Sequence, residues 1–387
     1  MPSATSFLRL LSRGRAEVVT SSIHSADQSA EVSQKELWSR TGLSPSSDTE
    51  IGIGRLPRRG GALGPDGRPD VSILVTVYNH ERFIEHCLRS IAHQQTEFSY
   101  EVLVGEDCST DGTRHLLKRL EGELPENFVF LYRRRNYGAV HNGQDLYERA
   151  RGRYFAGLEG DDFWLYEGKL QRQVAFLENH PDYSAAYTNC LVVGEDGKPN
   201  GEHYPQCLEE EYSWREYFYS CMPGHHGTLV CRWPEFLAAY REFDRMAEYD
   251  SYPGDRRNAF LFLALGKVRC IQESWSAYRH VVKKGATNYS STVAFDESYA
   301  RNEIGFGRSL VKWSRLHGSK EALRAARRTY WRFLLKWSVD RRVKSYRLVD
   351  AMRELMKEAD WLSLALAPLQ WYAVLGLRVL RGRPVDL

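Results

Sequence analysis

The sequence has no C-x-x-C pair, and its seven cysteines, at 87, 108, 190, 207, 221, 231 and 270, are odd in number. That excludes a zinc knuckle and argues against a disulfide framework, so a reducing cytoplasm fits the chain. Net charge is scarce too: 53 Lys or Arg against 50 Asp or Glu leave a formal +3 over 387 residues. A chain this near balance lacks the field that phosphate-backbone binding needs, and it carries no recognised nucleic-acid motif, so nucleic acid is not an expected partner. No long apolar run opens the chain. MPSATSFLRLLSRGR is broken by arginines before a secretory core can form, and no signal peptide is expected.

With 42% apolar and 27% charged residues, the composition is that of a globular chain long enough for one large domain or two ordinary ones. Residues 1–68 depart from it, being rich in Ser, Gly, Arg and Asp and punctuated by PRRGGALGPDGRP. That stretch reads as a disordered tail, with at most a short helix near 31–39. At Val71 the pattern changes. VSILVTVY is a nearly continuous apolar run expected of a strand covered on both faces, and ERFIEHCLRSIAHQ places Phe83, Ile84, Cys87, Leu88 and Ile91 at helical spacing. YEVLVGED follows as a second strand, then helix at 112–120, strand at 128–132, helix at 141–150 and strand at 154–158. Further on, 168–179 reads as helix, SAAYTNCLVV as strand, 254–266 as helix, and KVRCIQES and a short segment ending at His280 as two strands. Such alternation predicts an α/β fold with a doubly wound, mostly parallel sheet.

In open α/β sheets the ligand lies beyond the carboxyl ends of the strands. Acidic groups recur there: Tyr78-Asn79-His80 follows the first strand, Glu106-Asp107 with Ser109, Thr110 and Asp111 the second, and Glu159-Gly160-Asp161-Asp162 the fourth. Carboxylates that face one another repel unless a cation or a hydrogen-bonded ligand compensates them, so a divalent-metal and sugar-nucleotide site is one reading. The other is that Glu106, Asp107 and Asp111 only cap helices, since Asp and Ser ahead of a helix satisfy free backbone N–H groups.

In order and spacing, VSILVTVYNHERFIEHCLRSI, GEDCSTDGT and LEGDDFW resemble the three N-terminal signatures of bacterial, non-processive family 2 glycosyltransferases with the GT-A fold, over about residues 70–285. The resemblance implies a GT-A-like domain over 69–295; beyond it the chain turns helical and basic, so 296–387 reads as a separate C-terminal helical appendage. The resemblance further implies that Thr76, Val77, Tyr78, Asn79 and Asp107 hold the donor nucleotide, with Glu159 near the ribose or the metal's water shell. It puts Mn²⁺ or Mg²⁺ on Asp161, with Asp162 beside it and His280 assisting, and Arg279 on the diphosphate. Asp255, ahead of a helix, takes the place of the general base, and His225 and His226 line the acceptor pocket. The usual D-x-D motif here reads Glu159-Gly160-Asp161, one methylene longer at its first arm.

The function so implied is inverting, metal-dependent transfer of a single sugar from a UDP-, GDP- or dTDP-sugar to a glycan or lipid-linked acceptor, as in polysaccharide biosynthesis for the cell envelope. Rival enzymes lack their marks. No G-x-G-x-x-G follows the first strand, as a nicotinamide dehydrogenase would need, and no glycine-rich, arginine-containing loop opens the domain as in nucleotidyltransferases. The Q-x-x-R-W of processive synthases is missing its Gln, since Leu229 stands there before Arg232-Trp233. A non-catalytic glycosyltransferase-like scaffold, tethered by its basic helices, is the rival from another class.

Residues 308–357 hold 15 Lys or Arg against 4 Asp or Glu, and Trp313, Trp331, Trp337, Trp361 and Trp371 lie in or just beyond that region. Arg378, Arg381 and Arg383 follow the charge-free run WLSLALAPLQWYAVLGL at 361–377, which is at the short limit for a span and has Pro368 and Gln370 in its middle. Two readings stand: a helical hairpin packed on the domain, or an interfacial helix on an anionic membrane surface, peripheral at the inner face of the plasma membrane.

Overall fold

The first strand, β1 (Val71–Val77), shows why its apolar run is nearly unbroken: Val71, Ile73, Val75 and Val77 pack into one core and Leu74 into a second, on the opposite face. Side chains alternate across a strand, so a strand covered on both faces is apolar at both parities. The computed structural model describes residues 67–250, 252, 254–281, 294–340, 342–356, 366 and 369. Two expectations, the 1–66 part of the tail with its 31–39 helix and all of the 361–377 run except Leu366 and Leu369, lie outside the described residues.

Around β1 stands a parallel block. β1 pairs with β2 (Tyr100–Glu106) on one side and with β4 (Tyr154–Glu159) on the other, while β3 (Phe128–Tyr132) extends the block beyond β2. The connecting helices are α1 (Ile84–Ala92), α2 (Thr113–Leu120) and α3 (Ala139–Arg149). In α1 the residues at helical spacing, Ile84, Cys87, Leu88 and Ile91, are the buried ones. The register sets Thr76 opposite both Gly105 and Glu159, so the carboxyl ends of β1, β2 and β4 arrive at one place.

After β4 come β5 (Phe163–Trp164), α4 (Lys169–Asn179), β6 (Tyr183–Val193), β7 (Glu211–Tyr212), α5 (Trp214–Phe218), β8 (Val230–Arg232), α6 (Trp233–Arg245), α7 (Gly254–Leu265) and β9 (Lys267–Arg279). The nine-stranded sheet runs β3-β2-β1-β4-β8-β6-β9-β5, with β7 on β9. Its long pairings, including β6 with β9, are parallel, and its two- and three-residue pairings are antiparallel. The α/β, mostly parallel sheet expected from the alternation is the one found. β9 is a single strand of 13 residues where the sequence suggested two, and the irregular register against β6 near Thr188 and Asn189 marks the break that the sequence showed.

The basic C-terminal region forms α8 (Glu297–His317), α9 (Lys320–Val339) and α10 (Leu348–Leu355). Asp296 and Ser319 start the first two by accepting the amides of Tyr299 and Ala322. Phe306, Leu310 and Trp313 of α8 share one core with Phe243 of α6 and Phe260 of α7. Two glycines allow the close approach: a Cβ on Gly305 would lie 2.0 Å from the Glu248 carbonyl oxygen, and one on Gly307 would lie 2.9 Å from the Tyr330 Cα. Among the described residues no helix is long and apolar enough to cross a membrane.

Candidate active site

The loops after β1 and β2 are stitched together. Asn79 and Cys108 both adopt left-handed backbone, with φ of 58° and 60°. The Asn79 amide donates to Ser109 Oγ at 3.0 Å, and its side-chain oxygen accepts from the Thr110 amide at 2.8 Å. Val77 is 1% exposed; its carbonyl accepts the Asp107 amide and its side chain lies in the core. Thr76, Tyr78 and Asn79 are half-buried at the mouth.

Two carboxylates of the second loop are spoken for within the protein. Asp107, 1% exposed, accepts from the amides of Tyr137 and Gly138, each at 2.8 Å, and so pins the loop after β3. Glu106, fully buried, accepts from the Ser109 amide and pairs with Arg114. Asp111 accepts from the Thr113 amide in the first turn of α2, as the capping reading has it.

The end of β4 is where charges converge. Gly160 fits because a Cβ there would lie 2.6 Å from His80 Nδ1. The turn that follows presents Asp161, whose carboxylate is 30% exposed and lies 3.9 Å from His80 Nε2. Asp162 is 1% exposed; its Oδ1 accepts the Arg279 amide at 2.8 Å, while its Oδ2 is buried with no hydrogen-bond partner. That oxygen faces His225 Nδ1 at 3.6 Å, and His225 Nε2 lies 3.8 Å from Glu159 Oε2. One ligand atom each from Glu159, Asp162 and His225 fall within 4.8 Å of one another. Burial, then the charges of Asp161 and Glu159, push the Asp162 carboxyl well above the usual range. Loss of bulk water, then Asp161 and Asp255, push Glu159 up as well, although its side chain is 47% exposed in the open concavity. Burial drives His225 down to about 3, leaving a neutral imidazole whose Nδ1 accepts the Gly227 amide.

Other expected residues sit differently. Arg279 is 6% exposed; its Nε donates to the Asp161 carbonyl and its Nη1 to the carbonyls of Gly194 and Glu195, so it clamps two turns while its charge stays near Asp161 and Asp162. His280 pairs with Glu202 and is not in the His225 cluster. His226 turns the other way from His225: a Cβ on Gly157 of β4 would meet its Nε2 at 2.1 Å. Asp255, exposed in the first turn of α7, lies close enough for its charge to act on Glu159 and His226. Two aromatic neighbours of His225, Tyr204 and Tyr278, with ring centroids at 5.1 and 4.3 Å, were not singled out as site residues in the sequence. Tyr278 stands two residues before His280 on β9, but no local signal marks Tyr204.

The family described as Glycosyl transferase family 2 matches residues 72–242, a span that holds the ends of β1, β2 and β4. The chain carries a family 2 glycosyltransferase domain. An uncharacterized protein of Mycobacterium tuberculosis is 36% identical over 145 residues, which cover 38% of this chain and 40% of that protein. The putative teichuronic acid biosynthesis glycosyltransferase TuaG of Bacillus subtilis is 31% identical over 157 residues, 40% of this chain and 61% of TuaG. The chain therefore spans less than two thirds of the length of either of these relatives. Residues 1–349 of TarS from Staphylococcus aureus, crystallised with UDP-GlcNAc, share the fold with a TM-score of 0.52 at 17% identity, covering 82% of this chain and 93% of that one.

The GT-A fold of this glycosyltransferase domain implies a divalent cation, and the donor set fits one. A buried carboxylate oxygen without a partner, a neighbouring carboxylate raised by like charge and a neutral imidazole are the groups that a cation would satisfy.

Proposed function

We propose that the chain transfers a single sugar, with inversion, from a nucleotide-sugar donor to an acceptor hydroxyl. One observation supports the reading: the register of β1, β2 and β4 brings their carboxyl ends together, where β4 ends in Glu159 with Asp161 and Asp162 following, and the charge of Asp255 on α7 reaches Glu159. Thr76, Tyr78 and Asn79 line the nucleotide side, with Asp107 holding the loop after β3 in place. Asp161 and Asp162, with Glu159 and His225 beside them, would hold Mn²⁺ or Mg²⁺, which when bound offsets charge on the departing diphosphate. Arg279 adds a fixed positive charge behind that pair. The acceptor oxygen bonds to the anomeric carbon as Asp255 takes its proton, and the bond to the diphosphate oxygen breaks on the opposite face with its electron pair. His226 stands near Asp255 on the acceptor side, and His280, held by Glu202, closes the rim.

TarS is named as a poly(ribitol-phosphate) β-N-acetylglucosaminyltransferase, and TuaG for teichuronic acid biosynthesis. The UDP-GlcNAc crystallised with TarS supports a UDP-sugar donor, and the two names support a cell-envelope glycan as acceptor; a lipid-linked acceptor at the inner face of the membrane is our extension of that reading. Release of nucleoside diphosphate with Mn²⁺ and a panel of UDP-, GDP- and dTDP-sugars tests the assignment. Silence across the panel, with and without acceptor, would leave the non-catalytic tether as the better reading.

A further inference from the structure

We propose that the hairpin α8–α9 positions the acceptor-side helix α7, with Glu303 as the positioning residue that sets Asp255 through Tyr252 and Arg256; this rests on Asp255 being the base. Glu303 lies in the second turn of α8 and is 5% exposed. Its Oε2 accepts from Trp337 Nε1 at 2.6 Å and Lys336 Nζ at 3.0 Å, both on α9, and its Oε1 accepts from Tyr252 OH at 3.3 Å. Tyr252 precedes α7 by two residues, and its ring stacks on Phe306 of α8 with centroids 4.4 Å apart.

The next link is α7 itself. Successive residues of a helix are about 100° apart, so Asp255 can face the mouth while Arg256 faces inward. Arg256 donates to the Tyr217 carbonyl at 3.2 Å, lies over the Tyr217 ring at 4.9 Å, and leaves its Nε buried without a hydrogen-bond partner. Arg332 of α9 reaches the same corner, donating to the Phe218 carbonyl at 2.6 Å and Ser220 Oγ at 3.0 Å. Ser220 is itself held left-handed, at φ 60°. The end of α5 thus receives one arginine from the active-site helix and one from the hairpin. Two buried guanidiniums repel, and Glu303 is the buried carboxylate whose charge both feel. Neutralising it leaves buried cations uncompensated, and the helix start between them is the part free to shift.

The test compares Glu303→Gln, Glu303→Asp, Tyr252→Phe and Asp255→Asn with the wild-type full chain. Three quantities are measured with the sugar nucleotide that the UDP-, GDP- and dTDP-sugar panel selects: kcat for nucleoside diphosphate release, donor affinity by calorimetry with Mn²⁺, and hydrogen exchange of the amides of 258–262, whose acceptors are the carbonyls of 254–258. Glu303→Gln is expected to lower kcat by about tenfold to a hundredfold, as a displaced catalytic group would. Donor affinity should stay within about twofold and exchange at 258–262 should quicken, since lost geometry rather than lost donor contacts is at fault. Glu303→Asp should recover part of both effects. A folded Glu303→Gln chain with unchanged exchange and unchanged kcat overturns the proposal, as does a fall in donor affinity equal to the fall in kcat. If Glu303→Gln does not fold, Tyr252→Phe decides: quickened exchange with lowered kcat supports the link, and neither change overturns it. Asp255→Asn separates the two readings, because full activity there removes the base assignment while the exchange arm still reports whether Glu303 holds α7.

Discussion

The two halves of the mouth are built on different principles. On the donor side, Asn79, Asp107 and Glu159 are placed by adjacent parallel strands and by short loops bonded to each other's backbone. On the acceptor side, Asp255 rides on a helix whose start is tied to groups far away in sequence, from Tyr217 to Arg332, with Glu303 and Arg332 both buried and charged. Backbone ladders tolerate changes of side chain. A buried ionic network does not, because removing one partner strands the others.

Asp255→Asn should break the acceptor half alone: kcat falling by about 100-fold to 10,000-fold, with donor affinity by calorimetry unchanged. Wild-type turnover would strip Asp255 of its role. Phe306→Ala, fully buried on α8 against Phe243, Tyr249 and Tyr252, should cost about 3–5 kcal/mol in denaturant unfolding. A loss below about 1 kcal/mol would mean that the helices are an add-on and the contrast between halves is overdrawn. Asp161→Ala strikes the donor half, weakening Mn²⁺-supported donor binding by roughly tenfold or more while leaving metal-free binding as it was. Equal effects with and without Mn²⁺ would take Asp161 off the metal.

The smallest effect concerns the outer surface. Arg301, Lys312 and Arg324 are exposed on α8 and α9. Replacing any one of them by Gln should weaken binding to anionic vesicles, read by cosedimentation, by about 1 kcal/mol. Pelleting equal to wild type would end the membrane reading. Cutting the chain after Ser298 is a poorer test, since Ile304, Phe306 and Trp313 belong to the core.

The donor half was legible because its strands are contiguous apolar runs and each is followed by its polar loop. β5 and β8 were not, since two or three residues such as Phe163–Trp164 carry no period. That gap matters at His225. β8 pairs with β4, Ala156 against Val230, and this pairing delivers the preceding loop to Glu159, whereas the family resemblance had pointed to His280, just after β9, as the histidine beside the metal. The use of Glu303 was equally hidden, because an acid amid fifteen nearby basic residues reads as one more surface charge until the fold buries it.

Asn79 and Cys108 sit in a conformation that ordinary residues avoid, at a cost of about 1–3 kcal/mol each, and each lies in a loop bonded to the other. A cradle sprung in this way takes its final shape while the chain folds, before any ligand comes. Guests would then be sorted at the doorstep by shape, and whatever flexing the catalytic cycle requires falls to the opposite wall.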